Sequence, residues 1–149
     1  MSLARRVSRR THPASQRGNH HYDPSTPLDF AIAKRDKHLV ELLLAHGASL
    51  NEPDQQVLRL PVQTGDNEML SFLISKGVNP KIVIGDRRRT YLHYAVIYGH
   101  RGIAEILLGH GVDIDAKDRF GQTALHLAVL TEKEDLAALL RAHGANESL

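Results

Sequence analysis

Ten histidines in a chain of 149 residues are the first candidates for chemistry. Histidine ligates metals and moves protons near neutral pH. Three of them, His93, His100 and His110, fall within the stretch TYLHYAVIYGHRGIAEILLGHG at 90–111. A metal centre needs several such groups to converge, and a general base needs a nucleophile beside it. No histidine is paired with an obvious nucleophile, and no phosphate-cradling glycine loop is present. The absence of cysteine excludes disulfides, thiolate nucleophiles and cysteine-ligated zinc.

The elements that must position these histidines are repeated. EILLGHGVDID at 105–115 recurs as ELLLAHGASLN at 41–51 and ALLRAHGANES at 138–148, with a weaker copy, SFLISKGVNPK, at 71–81. The glycines fall at Gly47, Gly77, Gly111 and Gly144, at intervals of 30, 34 and 33 residues. Upstream, STPLDFAIA at 25–33 matches RTYLHYAVI at 89–97 and QTALHLAVL at 122–130, and QQVLRLPVQ at 55–63 is a degraded copy. Leu28, Leu58, Leu92 and Leu125 each stand 19 residues before the glycine of their unit. A fixed period of this length is the signature of a stacked-repeat architecture.

Each unit has the same grammar. A threonine opens it, where its hydroxyl can cap the orphan N–H groups of a helix. A short apolar helix, a polar turn (KRDK, TGDN, YGHR or TEKE) and a second helix follow. The glycine sits just past the second helix, where a left-handed conformation costs little without a Cβ. One such unit cannot bury its apolar face alone, so the core must come from stacking.

The motifs TPL, TYLHYA and YGHRGIAEILLGHGVDIDAKDRFGQTALHLA, at a spacing of about 33 residues, resemble the ankyrin repeat over roughly residues 24–147. The resemblance is strongest in the third and fourth units and weakest in the second. It implies an all-α solenoid of antiparallel helix pairs with β-hairpin-like finger loops between units. The expected division is a basic arm over 1–22 and a repeat domain over 23–149, with units near 24–52, 53–86, 87–119 and 120–149. The resemblance also accounts for the histidines. His93 and His126 occupy the family's Thr-Pro-Leu-His slot and are expected to hydrogen-bond across turns and between units. His100 occupies the turn between helices, and His46, His110 and His143 precede the terminal glycines. Stacked neighbours stand roughly 10 Å apart, too far for shared metal coordination. His38 lies on a polar part of a second helix. Only His12, His20 and His21, in the arm, leave room for an adventitious metal contact.

Departures from the repeat point to function. The loop KIVIGDRRRT is one residue longer than its counterpart DAKDRFGQT, and Arg88 stands where a glycine is expected two residues before the threonine. Its finger is expected to be reshaped. Its three cations, Arg87, Arg88 and Arg89, read either as a solvated loop or as a contact for carboxylates or phosphates. Tyr91, Tyr94 and Tyr98 share one side of a short helix, read either as packing with hydroxyls reaching water or as interface anchors. In the resembling family, partners meet finger tips and the exposed end of the first helix. By register those slots include Arg87, Arg89, Ile97, Tyr98, Arg119, Phe120, Gln122, Leu130 and Thr131, and the expected contact set adds Arg88 and Tyr94. The second unit is expected to be the least regular. With Gln56 as its cap, Pro61 would be fifth in the helix and would break a hydrogen bond to Val57. The loop before it, ASLNEPDQQ, is three residues short, so a blunted finger is expected.

Residues 1–22 contain five arginines and no acid. Taking those five from the 19 basic residues leaves 14 against 17 acidic ones, so the rest carries −3. The folded part therefore lacks a nucleic-acid footprint, and only the arm suits weak polyanion binding. The arm also contains RRVS, which makes Ser8 a candidate phosphosite, and its composition fits a mitochondrial import signal. No apolar run reaches the ~18 residues of a membrane span, so no membrane insertion is expected. Glu132, Lys133, Glu134, Asp135 and Arg141 are polar enough to close the stack, and the fourth unit reads as a terminal one. The leading expectation is a non-enzymatic module that binds a protein partner, acidic in one reading, without cofactor or small-molecule substrate, in the cytoplasm or nucleus. The alternative is a structural or scaffold subunit of a larger assembly, imported into an organelle through the arm.

Overall fold

Threonine hydroxyls start three of the eight helices found among the described residues, which in this computed structural model are 26–50 and 57–146. Thr26 begins α1 (Pro27–Ala33), Thr90 begins α5 (Tyr91–Tyr98) and Thr123 begins α7 (Ala124–Leu130), each accepting a backbone N–H of the first turn. The second helices are α2 (Lys37–Ala45), α4 (Asn67–Ser75), α6 (Arg101–Gly109) and α8 (Glu134–Ala142). Asp36 and Asp66 cap α2 and α4 by accepting from Leu39 and Met69.

All four second helices end alike. In α2 the N–H of Ala48 donates to Leu43 O and that of Gly47 to Leu44 O, and the same pair of bonds closes α4, α6 and α8. This is the Schellman arrangement, which needs a left-handed residue at the glycine. Gly47, Gly77, Gly111 and Gly144 have φ of 98°, 108°, 78° and 90°.

The second unit is the irregular one, as expected, but its first helix does not start at Gln56. Its first helix, α3 (Arg59–Thr64), has Leu58 at the cap and no side-chain cap bond. Pro61 is therefore third in the helix, among the N–H groups that lack an intrahelical partner anyway. The lost hydrogen bond expected at Val57 does not arise, because the helix starts later. The unit tolerates its proline by shortening. Gln56 and residues 51–55 of the preceding finger lie outside the described residues.

The units stack as an all-α repeat solenoid. First helices α1, α3, α5 and α7 touch in chain order, as do second helices α4, α6 and α8. Leu28, Leu58, Leu92 and Leu125 are buried in one continuous core, together with Val40, Leu70, Ala104 and Ala137 of the second helices. Between the second and third units lies the finger, an antiparallel hairpin of β1 (Val83–Ile84) and β2 (Arg89–Thr90), with Val83 opposite Thr90 and Ile84 opposite Arg89. The expected reshaping shows in pairing as well as in residue type, since the counterpart residues 116–123 contain no strand. Arg88 takes φ of 53°, and Gly121, its counterpart, takes 77°. An arginine thus occupies a left-handed position at a cost of ~1–2 kcal/mol.

Candidate interaction surface

The third finger, residues 83–90 before the third unit, and the fourth finger, residues 116–122 before the fourth unit, are joined by a buried ion pair. Arg89 Nε lies 3.3 Å from Asp118 Oδ2, with 13% of the arginine side chain and 0% of the aspartate side chain exposed. Asp118 Oδ1 accepts from the N–H of Phe120 and of Gln122, both at 2.9 Å, so the acid shapes the turn that carries Phe120. Burial raises the Asp118 carboxyl, but these N–H groups and the Arg89 guanidinium outweigh it and hold it below the usual carboxylate range. Alongside, the Arg119 N–H donates to Arg87 O at 2.7 Å. This places two fingertip arginines on neighbouring strands of backbone.

His93 ties the same two units from below. Its Nδ1 accepts from the Thr90 N–H at 3.0 Å. The proton is therefore on Nε2, which donates to Gln122 O at 2.9 Å. Desolvation pulls its pKa below 6.5, against the opposing backbone bond to Gln122 and the nearby Asp118 charge. His126 repeats the local half, accepting from the Thr123 N–H. His46 and His143 donate Nδ1–H to the carbonyls four residues back, Leu42 and Leu139. His100 Nε2 donates to Gln63 O of the preceding unit at 2.9 Å. Among the described residues no group of three or more histidine, aspartate or glutamate side chains is placed to hold a metal ion. His12, His20, His21 and Ser8 lie outside the described residues.

A single slot, the residue just before each second helix, contacts the preceding unit at all three junctions. Asp66 pairs with Arg35, Nε to Oδ2 at 3.3 Å. His100 lies against Gly65, where a Cβ would stand 2.7 Å from its Nδ1. Lys133 lies against Gly99 and donates to Ile97 O at 3.2 Å. One position further on, Lys37 meets Glu68 at 3.4 Å, Asn67 covers Gly102, and Arg101 donates to Asp135 O at 3.0 Å.

The expected contact residues separate into two kinds. Arg87, Arg88, Arg119, Phe120 and Leu130 are exposed, the last two at 64% and 68%. Tyr94 and Ile97 are half-buried and Tyr98 is exposed, with the Tyr94 and Tyr98 rings stacked at 6.2 Å between centroids. Gln122 is half-buried, and its backbone serves Asp118 and His93. Arg89 is a correction. Its guanidinium is committed to Asp118, so it positions the fingers and is not presented. Tyr91 is likewise packed. It is 1% exposed, and burial pushes its hydroxyl above the usual phenol range despite a backbone hydrogen bond with Leu58 and the nearby Arg59. Sequence reasoning passed over Asp118 and Val129. The run DRFGQT carried a signal for the first, since an aspartate that accepts from following N–H groups favours a tight turn. Val129 is 54% exposed, whereas Ile32, Val62 and Val96 in its slot are covered by the next unit.

Residues 58–148 match the family described as ankyrin repeats in three copies, and residues 25–55 match the single ankyrin repeat. An ankyrin repeat-containing protein of Treponema pallidum is 38% identical over 114 residues, 74% of this chain and 38% of that protein. The nuclear factor NF-kappa-B p105 subunit of Gallus gallus is 33% identical over 125 residues, 80% of this chain and 13% of that subunit. The palmitoyltransferase ZDHHC13 of Homo sapiens is 33% identical over 102 residues, 66% of this chain and 16% of that enzyme. The chain thus spans less than two fifths of the length of these relatives. It belongs to the ankyrin repeat family. Such repeats generally mediate protein–protein interaction and are typically non-catalytic. Among the described residues no helix is long and apolar enough to cross a membrane.

Proposed function

We propose that the chain is a non-catalytic binding module that offers a protein partner the tips of its third and fourth fingers and the first-helix surface beside them. The observation that carries this reading is the pairing of the two fingers. The Arg89–Asp118 bridge and the Arg119-to-Arg87 backbone bond hold Arg87, Arg88, Arg119 and Phe120 on one rigid edge. A preorganised surface loses little entropy on binding. Exposed aromatic and arginine side chains are the types that dominate interface energetics. Tyr94, Ile97, Tyr98, Gln122 and Leu130 extend the surface along the first helices.

The test combines Arg87→Glu, Tyr98→Ala and Phe120→Ala in one variant and leaves Arg89 intact. Helical circular dichroism and the unfolding midpoint should stay near those of the parent, while proteins captured from extract by the parent are lost. Capture that persists with the same proteins refutes the surface assignment.

A further inference from the structure

A cleft of about 130 Å³ opens beside the hairpin, lined by Arg59 and Val62 of α3, Ile84 of β1, and Tyr91, Tyr94 and Tyr98 of α5. Its size is close to that of a ~150 Å³ apolar cavity that takes up benzene. Val62, Ile84 and Tyr91 are buried and form the apolar inner wall, and the stacked Tyr94 and Tyr98 rings form the outer one. Aromatic walls favour an incoming ring held edge-to-face or offset-stacked.

The surroundings of the cleft are cationic. Gly85, which also lines it, accepts from the Arg88 N–H at 3.2 Å, so the turn bearing Arg87 and Arg88 is one lip of the cleft. Across residues 83–90 and 116–122, four cations are exposed, Arg87, Arg88, Lys117 and Arg119, against one exposed acid, Asp86. Among the described residues none of these four cations takes part in an ion pair, whereas Arg89 is neutralised by Asp118. Arg119 is brought to Arg87 by their backbone bond.

We infer that this cleft is the anchor site for an extended acidic peptide segment, which inserts one large apolar side chain, phenylalanine for choice, between the inner wall and the stacked tyrosines while flanking carboxylates meet Arg87, Arg88 and Arg119. The inference rests on the binding-module reading and gives its partner a chemistry. A peptide suits the surface better than a nucleic acid. The basic patch is local, four exposed cations, and matches a short acidic segment rather than a long polyanion. The carboxylates supply encounter rate and register, and the buried ring supplies residence time.

The test uses a phage-displayed library of random dodecapeptides sorted on the immobilised full chain, with recovered peptides resynthesised carrying fluorescein and titrated by anisotropy. Recovered sequences should carry several Asp or Glu around one Phe, Tyr, Trp or Leu. Alanine at the anchor should weaken binding about tenfold or more, as should Tyr98→Ala or the pair Arg87→Glu and Arg88→Glu. Affinity should fall as salt rises. Leu42→Ala, an exposed change on α2, should leave affinity unaltered. The inference is overturned by recovery of neutral or basic sequences, or by no enrichment at all. It is equally overturned by acidic peptides indifferent to loss of their anchor, or by an unlabelled uridine 15-mer that displaces the labelled peptides more readily than unlabelled peptide does. If it fails while the Arg87, Tyr98 and Phe120 variant still loses its captured proteins, the binding-module reading stands. If capture is also unchanged, that reading falls with it.

Discussion

The first and last junctions of the stack are joined by opposite means. Between the first and second units the charged contacts each have at least one well-exposed partner: Arg35 with Asp66, Lys37 with Glu68, and Glu41 with Lys76 at 3.9 Å. Phe72 adds Lys37 and Lys76 ammonium groups over its ring, at 5.8 and 5.4 Å. Between the third and fourth units the joint is a buried network of Arg89, Asp118, His93 and two backbone turns. Exposed pairs in water are worth little, whereas a buried pair with satisfied hydrogen bonds is costly to break from one side. The lesson is that rigidity is concentrated where the fingers carry Phe120 and the arginines.

The sharpest way to break this contrast is Asp118→Ala. It strands the Arg89 charge and removes the acceptor for two N–H groups, so unfolding in urea should show a loss of about 3–5 kcal/mol. A loss below about 1 kcal/mol would mean that the network is slack. Acid should expose the same junction next. His93 has a lowered pKa in the fold, so its contribution is complete above the unfolded value near 6.5 and declines as pH falls below that. Asp118 is lowered too, and its contribution disappears as pH falls through its folded value, below 3.8. The thermal midpoint should therefore drop from pH 7.5 to 5, and His93→Gln should remove most of that first drop. A drop that survives His93→Gln would assign the acid sensitivity elsewhere.

A smaller effect of opposite sign is expected at the fingertip. Arg88→Gly relieves a left-handed arginine and should raise stability by about 1 kcal/mol, read from the urea midpoint. An unchanged midpoint would show that the turn relaxes without cost. Smallest of all, Lys37→Ala should cost less than about 0.5 kcal/mol, and less still in 1 M salt. A loss comparable to that of Asp118→Ala would erase the distinction between the two junctions.

Much of this fold was legible because its signals are local and repeated. Thr26, Thr90 and Thr123 announce helix starts, and glycines in register announce helix ends. The second unit was less legible because its cap, Leu58, has no side-chain signal, and Pro61 read correctly only once the start was known. The surface was half legible. Slot register placed Phe120, Tyr98 and Leu130 outward, but three adjacent arginines look alike in sequence, and only the position of Asp118 decides that Arg89 turns in while Arg87 and Arg88 stay out. Left-handed φ at Arg35 and Glu132, 58° and 60°, was invisible because the residue type argues against it.

The slot before each second helix has a consequence for how such a chain can be rearranged. Its three junctions are filled by an arginine with an aspartate, a glycine with an imidazole, and a glycine with an ammonium. Each unit is thus addressed to its own predecessor. Excising the second unit would bring Arg35 against His100, a side chain where the ring requires bare backbone. The repeats look interchangeable in outline, yet their order is written into the joints, and shuffling or deleting one should yield a misfit rather than a shorter copy of the same protein.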